Sequence, residues 1–263
     1  MDSELTFWDH ISELRSRLIR IMVGVILASA LAYGFWEKIW FFIAYPLTKQ
    51  HLKVDLIATS PMETLMTSFK MSLISGVILA FPWIMWNVWR FLAPALFAKE
   101  KRVFGIAFFS SIIMFAAGAC FAYFAVLPAG LAFLATYTKG AITQNWRQGD
   151  FAGFISQFML AFGLIFEMPV IAFVLASMGL ITAGGMWRFF RYAVIVIFAV
   201  AALLTPGPDP VSQMMMAVPL CILYILSIGI CALAQKKSEG EENGAQGEKD
   251  GKAEKDGKEM RAA

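Results

Sequence analysis

The run GLIFEMPVIAF at 163–173 sets one carboxylate, Glu167, in a stretch with no other charge from Phe151 to Trp187. Hydrocarbon solvates a carboxylate poorly. A centrally placed one costs about 2.5–3.5 kcal/mol on insertion scales, and such residues turn toward protein or a cavity. Two uses fit Glu167. One is a protonated carboxyl hydrogen-bonded across helices. The other is a polar point facing a groove between helices, where it meets a partner helix, water or substrate. Pro169, two residues on, strips the carbonyl of Ile165 of its helical donor and can bend the chain beside the carboxyl.

Two further carboxylates stand among basic residues. In the N-terminal stretch, Phe7, Trp8, Ile11, Leu14 and Leu18 recur at helical spacing, with His10, Glu13, Arg17 and Arg20 on other faces. This pattern predicts an amphipathic surface helix leading into a span. Glu13 and Arg17 can pair at i, i+4, worth about 0.2–0.5 kcal/mol. Alternatively, Glu13 is held at the membrane surface to bind an external cation. Glu100 sits in Lys99-Glu100-Lys101-Arg102, directly after the apolar Phe91–Phe97. It reads either as a solvated loop charge or as a second acceptor for a cation. Two such carboxylates beside apolar ground could receive two guanidinium groups, whose planar fork matches a carboxylate.

Catalytic chemistry lacks material. His10 and His51 both lie outside the apolar runs, and there is no HExxH, P-loop or dinucleotide fingerprint. Cys120, Cys221 and Cys231 have no metal-like spacing and read as small core residues. No enzyme activity, cofactor or metal is expected.

The elements that hold these residues follow from composition. Of 263 residues, 59% are hydrophobic, and Phe occurs 24 times. A soluble domain would expose far too much of that surface. Apolar runs at 21–36, 71–89, 103–138, 151–187 around Glu167, 192–207 and 210–235 predict an all-α integral membrane protein with six transmembrane helices, since about 20 apolar residues span a bilayer. Acidic residues precede the first run, so no cleavable signal peptide is expected. Arg15, Arg17, Arg20, Arg90, Lys99, Lys101, Arg102, Arg188, Arg191, Lys236 and Lys237 cluster at one set of span ends. The positive-inside rule then puts both termini in the cytoplasm, with segments near 37–69, 139–150 and 206–210 outside.

Finer features are also legible. Val103–Thr138 holds 36 residues without a charge, about 54 Å of helix against roughly 30 Å of hydrocarbon, and Pro128 is expected to bend it. Tyr192–Thr205 is short for a span, and Pro206-Gly207-Pro208-Asp209-Pro210 predicts a tight hairpin between short helices five and six. Ile39–Ala44 reads as an interfacial helix. Ser60-Pro61-Met62-Glu63 reads as a capping box opening a short helix before the second span. Residues 1–235 form the membrane domain, and 236–263, with 7 basic and 8 acidic residues, read as a disordered cytoplasmic tail.

Taken in order, the motifs resemble those of the TatC family of twin-arginine translocase proteins. His10-Ile11-Ser12-Glu13-Leu14-Arg15-Ser16-Arg17-Leu18 is similar to the family's opening. The likeness continues through Ser60–Glu63, Phe91–Leu96, Glu100–Arg102, Tyr123–Pro128, Phe162–Val170, Arg191-Tyr192, Thr205-Pro206, Ser212-Gln213 and Ala217–Pro219. It departs in reading Thr205-Pro206-Gly207-Pro208-Asp209, one residue longer than usual, and Trp86-Asn87-Val88-Trp89 in span two. The resemblance implies a curved, glove-like receptor in the bacterial cytoplasmic (inner) membrane. It implies binding of folded precursors through twin-arginine signal peptides, assembly of several copies with single-span TatA or TatB proteins, and transport driven by the proton-motive force. It assigns signal-peptide binding to Glu13 and Glu100, with Arg15, Phe91, Pro94 and Leu96 on the same surface. Glu167 falls on the concave membrane face. Thr205, Pro206, Asp209, Ser212 and Gln213 fall where partner proteins dock. The alternative reading is a proton-coupled small-solute transporter using Glu167, although no pair of related halves marks the sequence. A third is a scaffold with no substrate site.

Overall fold

The computed structural model describes residues 7–49, 54–96, 101–136, 144–204, 210 and 213–236. The sequence predicts a surface helix followed by a span. The structure instead has one rod, α1 (Phe7–Gly34), 28 residues long, because no proline interrupts the backbone ladder. Helix α2 (Trp36–Lys49) carries the aromatic Ile39–Ala44 stretch. After strand β1 (Val54–Ile57) comes α3 (Pro61–Leu96), 36 residues in one piece, so there is no separate short helix before the second span.

Helices α1 and α3 pack antiparallel. Trp83 Nε1 donates to the Arg20 carbonyl at 3.0 Å, and Tyr33 stacks on Phe69 with centroids 4.9 Å apart. Between these points Gly76 admits the other backbone. A Cβ there would stand 2.1 Å from Ser29 Oγ and 2.5 Å from Ser29 Cα. Small residues permit such approach where lipid gives helices no hydrophobic reason to associate.

The long charge-free run is a continuous path with one irregularity. Helix α4 (Lys101–Phe121) passes through a π-helical turn, Ala122–Val126, into α5 (Leu127–Thr136). The Leu127 N–H donates to the Ala122 carbonyl. The wide turn lies immediately before Pro128, whose missing N–H would otherwise leave a gap in the ladder. Strand β2 (Gln144–Arg147) leads into α6 (Gln148–Ile165) and α7 (Met168–Ser177).

The apolar run at 168–187 is not one helix. Gly179 adopts φ +72°, Leu180 N–H donates to Leu175 at 3.0 Å, and Gly179 N–H donates to Ala176 at 2.9 Å. That is a Schellman close. A short α8 (Ala183–Arg188), capped by Thr182, precedes α9 (Phe190–Leu204) and α10 (Gln213–Lys236).

Among the described residues, Ile11–Gly34, Pro61–Leu92, Gly105–Thr136, Gln148–Ser177 and Gln213–Lys236 are long and apolar enough to cross a membrane, and Phe190–Leu204 is a shorter apolar helix. The short helix is therefore α9, with 15 residues; α10 has 24. Some serines inside the spans bond to their own helix, as Ser72 does to Ser68 O at 2.6 Å and Ser227 to Leu223 O at 2.8 Å. Such back-bonding hides a hydroxyl from hydrocarbon. Phe162, Met71, Leu127, Leu131, Ile155 and Met216 are fully buried at the centre. Of the cysteines only Cys231 is buried; Cys221 is intermediate and Cys120 exposed, so the core reading holds for one of three.

One end of the bundle is tied by contacts between distant segments. Strands β1 and β2 pair in parallel, Val54 opposite Gln144 through Ile57 opposite Arg147. Glu63 does not close a capping box with Ser60. It accepts from Thr59 N–H at 2.8 Å and Thr59 Oγ1 at 2.6 Å, and from Gly149 N–H at 3.1 Å. The Arg147 guanidinium lies 3.6 Å away. One carboxylate thus joins the start of α3 to the start of α6. Gly76→Val is expected to part α1 from α3 and cost about 1–3 kcal/mol, the scale of overpacking, read as a lower unfolding temperature in detergent, while Gly184→Ala, in open space, leaves it unchanged.

Candidate functional site

Glu167 stands where α6 ends and α7 begins. The Glu167 N–H donates to Leu164 O at 3.1 Å, an i−3 bond, while Glu167 O accepts from Ile171 at 2.9 Å. Pro169 enforces this break by lacking the N–H that Ile165 O would take. The residue is 5% exposed. Its side chain makes no cap bond to its own helix. The Ser111 hydroxyl of α4 reaches the carboxyl instead, and Trp89 Nε1 of α3 donates to Ser111 Oγ at 3.1 Å. Since Trp89 uses an acceptor site of Ser111, the one hydroxyl proton of Ser111 is free for Glu167. Trp89, Ala107, Val170 and Val174 pack together around this relay. Glu167 Oε1 is buried without a hydrogen-bond partner among the described residues. The carboxyl is thus inside the protein, facing neither lipid nor an open groove.

Glu13 lies on the first turns of α1, at the level of the far end of α3. The cross-contacts of Tyr33 with Phe69, Ser29 with Gly76 and Arg20 with Trp83 set a register that, continued, brings Glu13 abreast of Phe91. Glu13 accepts from Arg17 Nε at 2.9 Å, and Arg17 Nη2 donates to the same Oε1. Arg17 is buried, whereas the Glu13 side chain is 29% exposed. Arg15 is exposed and Phe91 half-buried. Pro94 and Leu96 fall in the last turns of α3. Glu100 lies outside the described residues, as do Thr205, Pro206, Asp209, Ser212, the turn between α9 and α10 and the tail beyond Lys236. Gln213 opens α10, and its Nε2 donates to Phe198 O of α9 at 3.0 Å. Beside it an apolar groove of about 430 Å³ runs between Phe121, Ala125, Val126 and Met214, Met215, Val218.

Sequence reasoning missed three of these features. Ser111 is one serine in an apolar run, and nothing marks it as the donor to a residue 56 positions away. The burial of Arg17 depends on tertiary packing. The bond between Glu63 and Gly149 depends on a contact between the starts of two helices far apart in sequence.

These observations define an all-α, multi-pass membrane protein with one buried carboxyl at a helix break and a charge pair at one end of its first helix. The family model for Sec-independent protein translocase protein (TatC) matches residues 9–219. The TatC of Helicobacter pylori strain J99 is 39% identical over 235 residues, 89% of this chain and 92% of that protein. The TatC of Aquifex aeolicus strain VF5 is 37% identical over 231 residues, 87% of this chain and 95% of that protein. A crystal structure of the twin arginine translocase receptor TatC superimposes with a TM-score of 0.80 at 37% identity, over 86% of this chain and 99% of that one. The chain belongs to the TatC family. This leaves the solute-transporter reading without support.

Ser111→Ala would strip a buried carboxyl of its donor, and is expected to cost about 1–3 kcal/mol of stability. Combining it with Glu167→Met should restore part of that loss, because the double variant no longer buries a carboxyl deprived of its donor; a Ser111→Ala midpoint equal to that of wild type would show that the bond contributes nothing.

Proposed function

We propose that this chain is the core receptor of a twin-arginine protein translocase, binding the signal peptides of folded precursors at the end of α1. The observation that carries this reading is the superposition on the solved twin arginine translocase receptor over 86% of the chain. It is supported by a partly exposed carboxylate, Glu13, on the first turns of α1. A six-span topology with both termini in the cytoplasm puts the Glu13 end on the side where precursors are made.

In this reading Glu13 and Glu100 receive the two arginines, and Arg15, Phe91, Pro94 and Leu96 complete the surface. Arginine suits the task because it stays charged and its fork fits a carboxylate. The apolar part of the signal then lies along the spans toward Glu167. Single-span TatA or TatB proteins dock near Thr205, Pro206, Asp209, Ser212 and Gln213, for which the apolar groove beside Gln213 offers room. Folded cargo crosses with these partners in a hetero-oligomer driven by the proton-motive force. The chain itself performs no covalent chemistry. Residues 236–263 serve as a solvated cytoplasmic spacer.

A twin-arginine peptide is expected to bind the purified protein more tightly than its twin-lysine version. Glu13→Ala and Glu100→Ala should each weaken it by roughly 10- to 150-fold, the range for an ionic hydrogen bond of about 1.5–3 kcal/mol. Indifference of both variants to the arginine–lysine exchange would defeat this account of recognition. Glu167→Gln, nearly isosteric, should bind the peptide normally yet export less precursor; a variant that unfolds or is proteolysed would mark Glu167 as structural.

A further inference from the structure

The i, i+4 pair and the recognition carboxylate are the same group. Arg17 directs both Nε and Nη2 at Glu13 Oε1, so neither contact uses Oε2. Its own side chain is 10% exposed against 29% for Glu13. Arg17 Nη1 is already buried without a partner among the described residues. Withdrawing Arg17 from Glu13 would strand still more buried donors, which is costly for a charged group. Arg17 therefore stays, and an arriving guanidinium must share Glu13 with it.

From this we infer that Arg17 is a built-in competitor that limits how tightly Glu13 can hold a signal-peptide arginine. The inference rests on the receptor reading above. Sharing has two consequences. The newcomer meets Oε2 and cannot straddle both oxygens, so it loses the parallel two-bond grip that makes arginine–carboxylate pairs strong and selective. It also approaches a second fixed positive charge, which offsets part of the attraction. A receptor that must hand its signal peptide on gains from both effects, because the contact is readily reversed. Arg17 acts through Glu13 and is thus an affinity-setting residue, not a contact residue.

The test uses the full chain in lipid nanodiscs, with a fluorescent twin-arginine signal peptide and its twin-lysine version as probes. The variants are Arg17→Gln, Arg17→Met, Arg17→Lys, Glu13→Ala and the double variant Glu13→Ala/Arg17→Gln. Elution profile and melting temperature report folding independently. Methionine is unbranched, apolar and uncharged, so one neutral variant remains if glutamine disturbs packing. Neutral residues at 17 are expected to tighten twin-arginine binding about three- to tenfold, the scale of one partly exposed ionic contact. They should also widen the preference for arginine over lysine. Arg17→Lys, which keeps the charge but not the fork, should fall between them and wild type. In the Glu13→Ala background the change at 17 should do nothing. Equal or weaker binding by folded neutral variants, with Glu13→Ala still weak, overturns the inference alone. The same gain in the Glu13→Ala background also overturns it, by showing a general charge effect. Wild-type binding by Glu13→Ala overturns the receptor role of Glu13 and this inference with it.

Discussion

A polar group surrounded by hydrocarbon must find its partner inside the chain, because no water is there to supply one. Much of this architecture follows from that constraint. Ser72 and Ser227 meet it locally by bonding to their own helices. Glu167 does not, and at the break between α6 and α7 its side chain makes no cap bond. Its donor comes from α4, and that donor is held in turn by α3 through Trp89. One carboxyl thus fixes the relation of three spans. The charge pairs obey the same rule nearer the ends: Glu63 gathers Thr59, Gly149 and Arg147, and Glu13 takes Arg17.

The two ends of the bundle are tied differently among the described residues. At the Glu63 end, contacts join segments far apart in sequence: β1 to β2, and the start of α3 to the start of α6. Such ties resist separation of the spans. At the Glu13 end, the ion pair joins residues one helical turn apart. It ties no element to another, so the carboxylate there can take on a further partner without loosening the fold. The described contacts therefore hold the Glu63 end across segments, whereas the Glu13 pair is local to one helix.

Sequence showed what is encoded within one run. Charge-free stretches marked the spans, since a helix of about 20 apolar residues matches the thickness of a bilayer. Pro128 announced the irregularity in the third span, although the chain absorbs it as a π-helical turn just upstream. What sequence concealed is pairing at a distance. VDLI and QNWR are four residues each, too short to show a strand period, and they pair across some 90 positions. A surface pair was legible in Glu13 and Arg17, but not that one member is buried. The Gly179 turn was legible in principle, since a glycine followed by Leu180 in an apolar run is a usual helix close; the lack of any charge there hid it.

The break at Glu167 has a physical consequence of its own. A carboxylate at the N-terminus of a helix is ordinarily held by that helix's free N–H groups and its dipole. Glu167 caps the start of α7 yet takes no such bond. It relies on Ser111, on another helix, and its Oε1 is buried without a hydrogen-bond partner among the described residues. A cap bond would be indifferent to how the spans sit against one another. A bond across helices is not: any shift of α4 against α7 alters the only donor that reaches the carboxyl among the described residues. The buried carboxyl therefore couples local hydrogen bonding to the spacing of the spans.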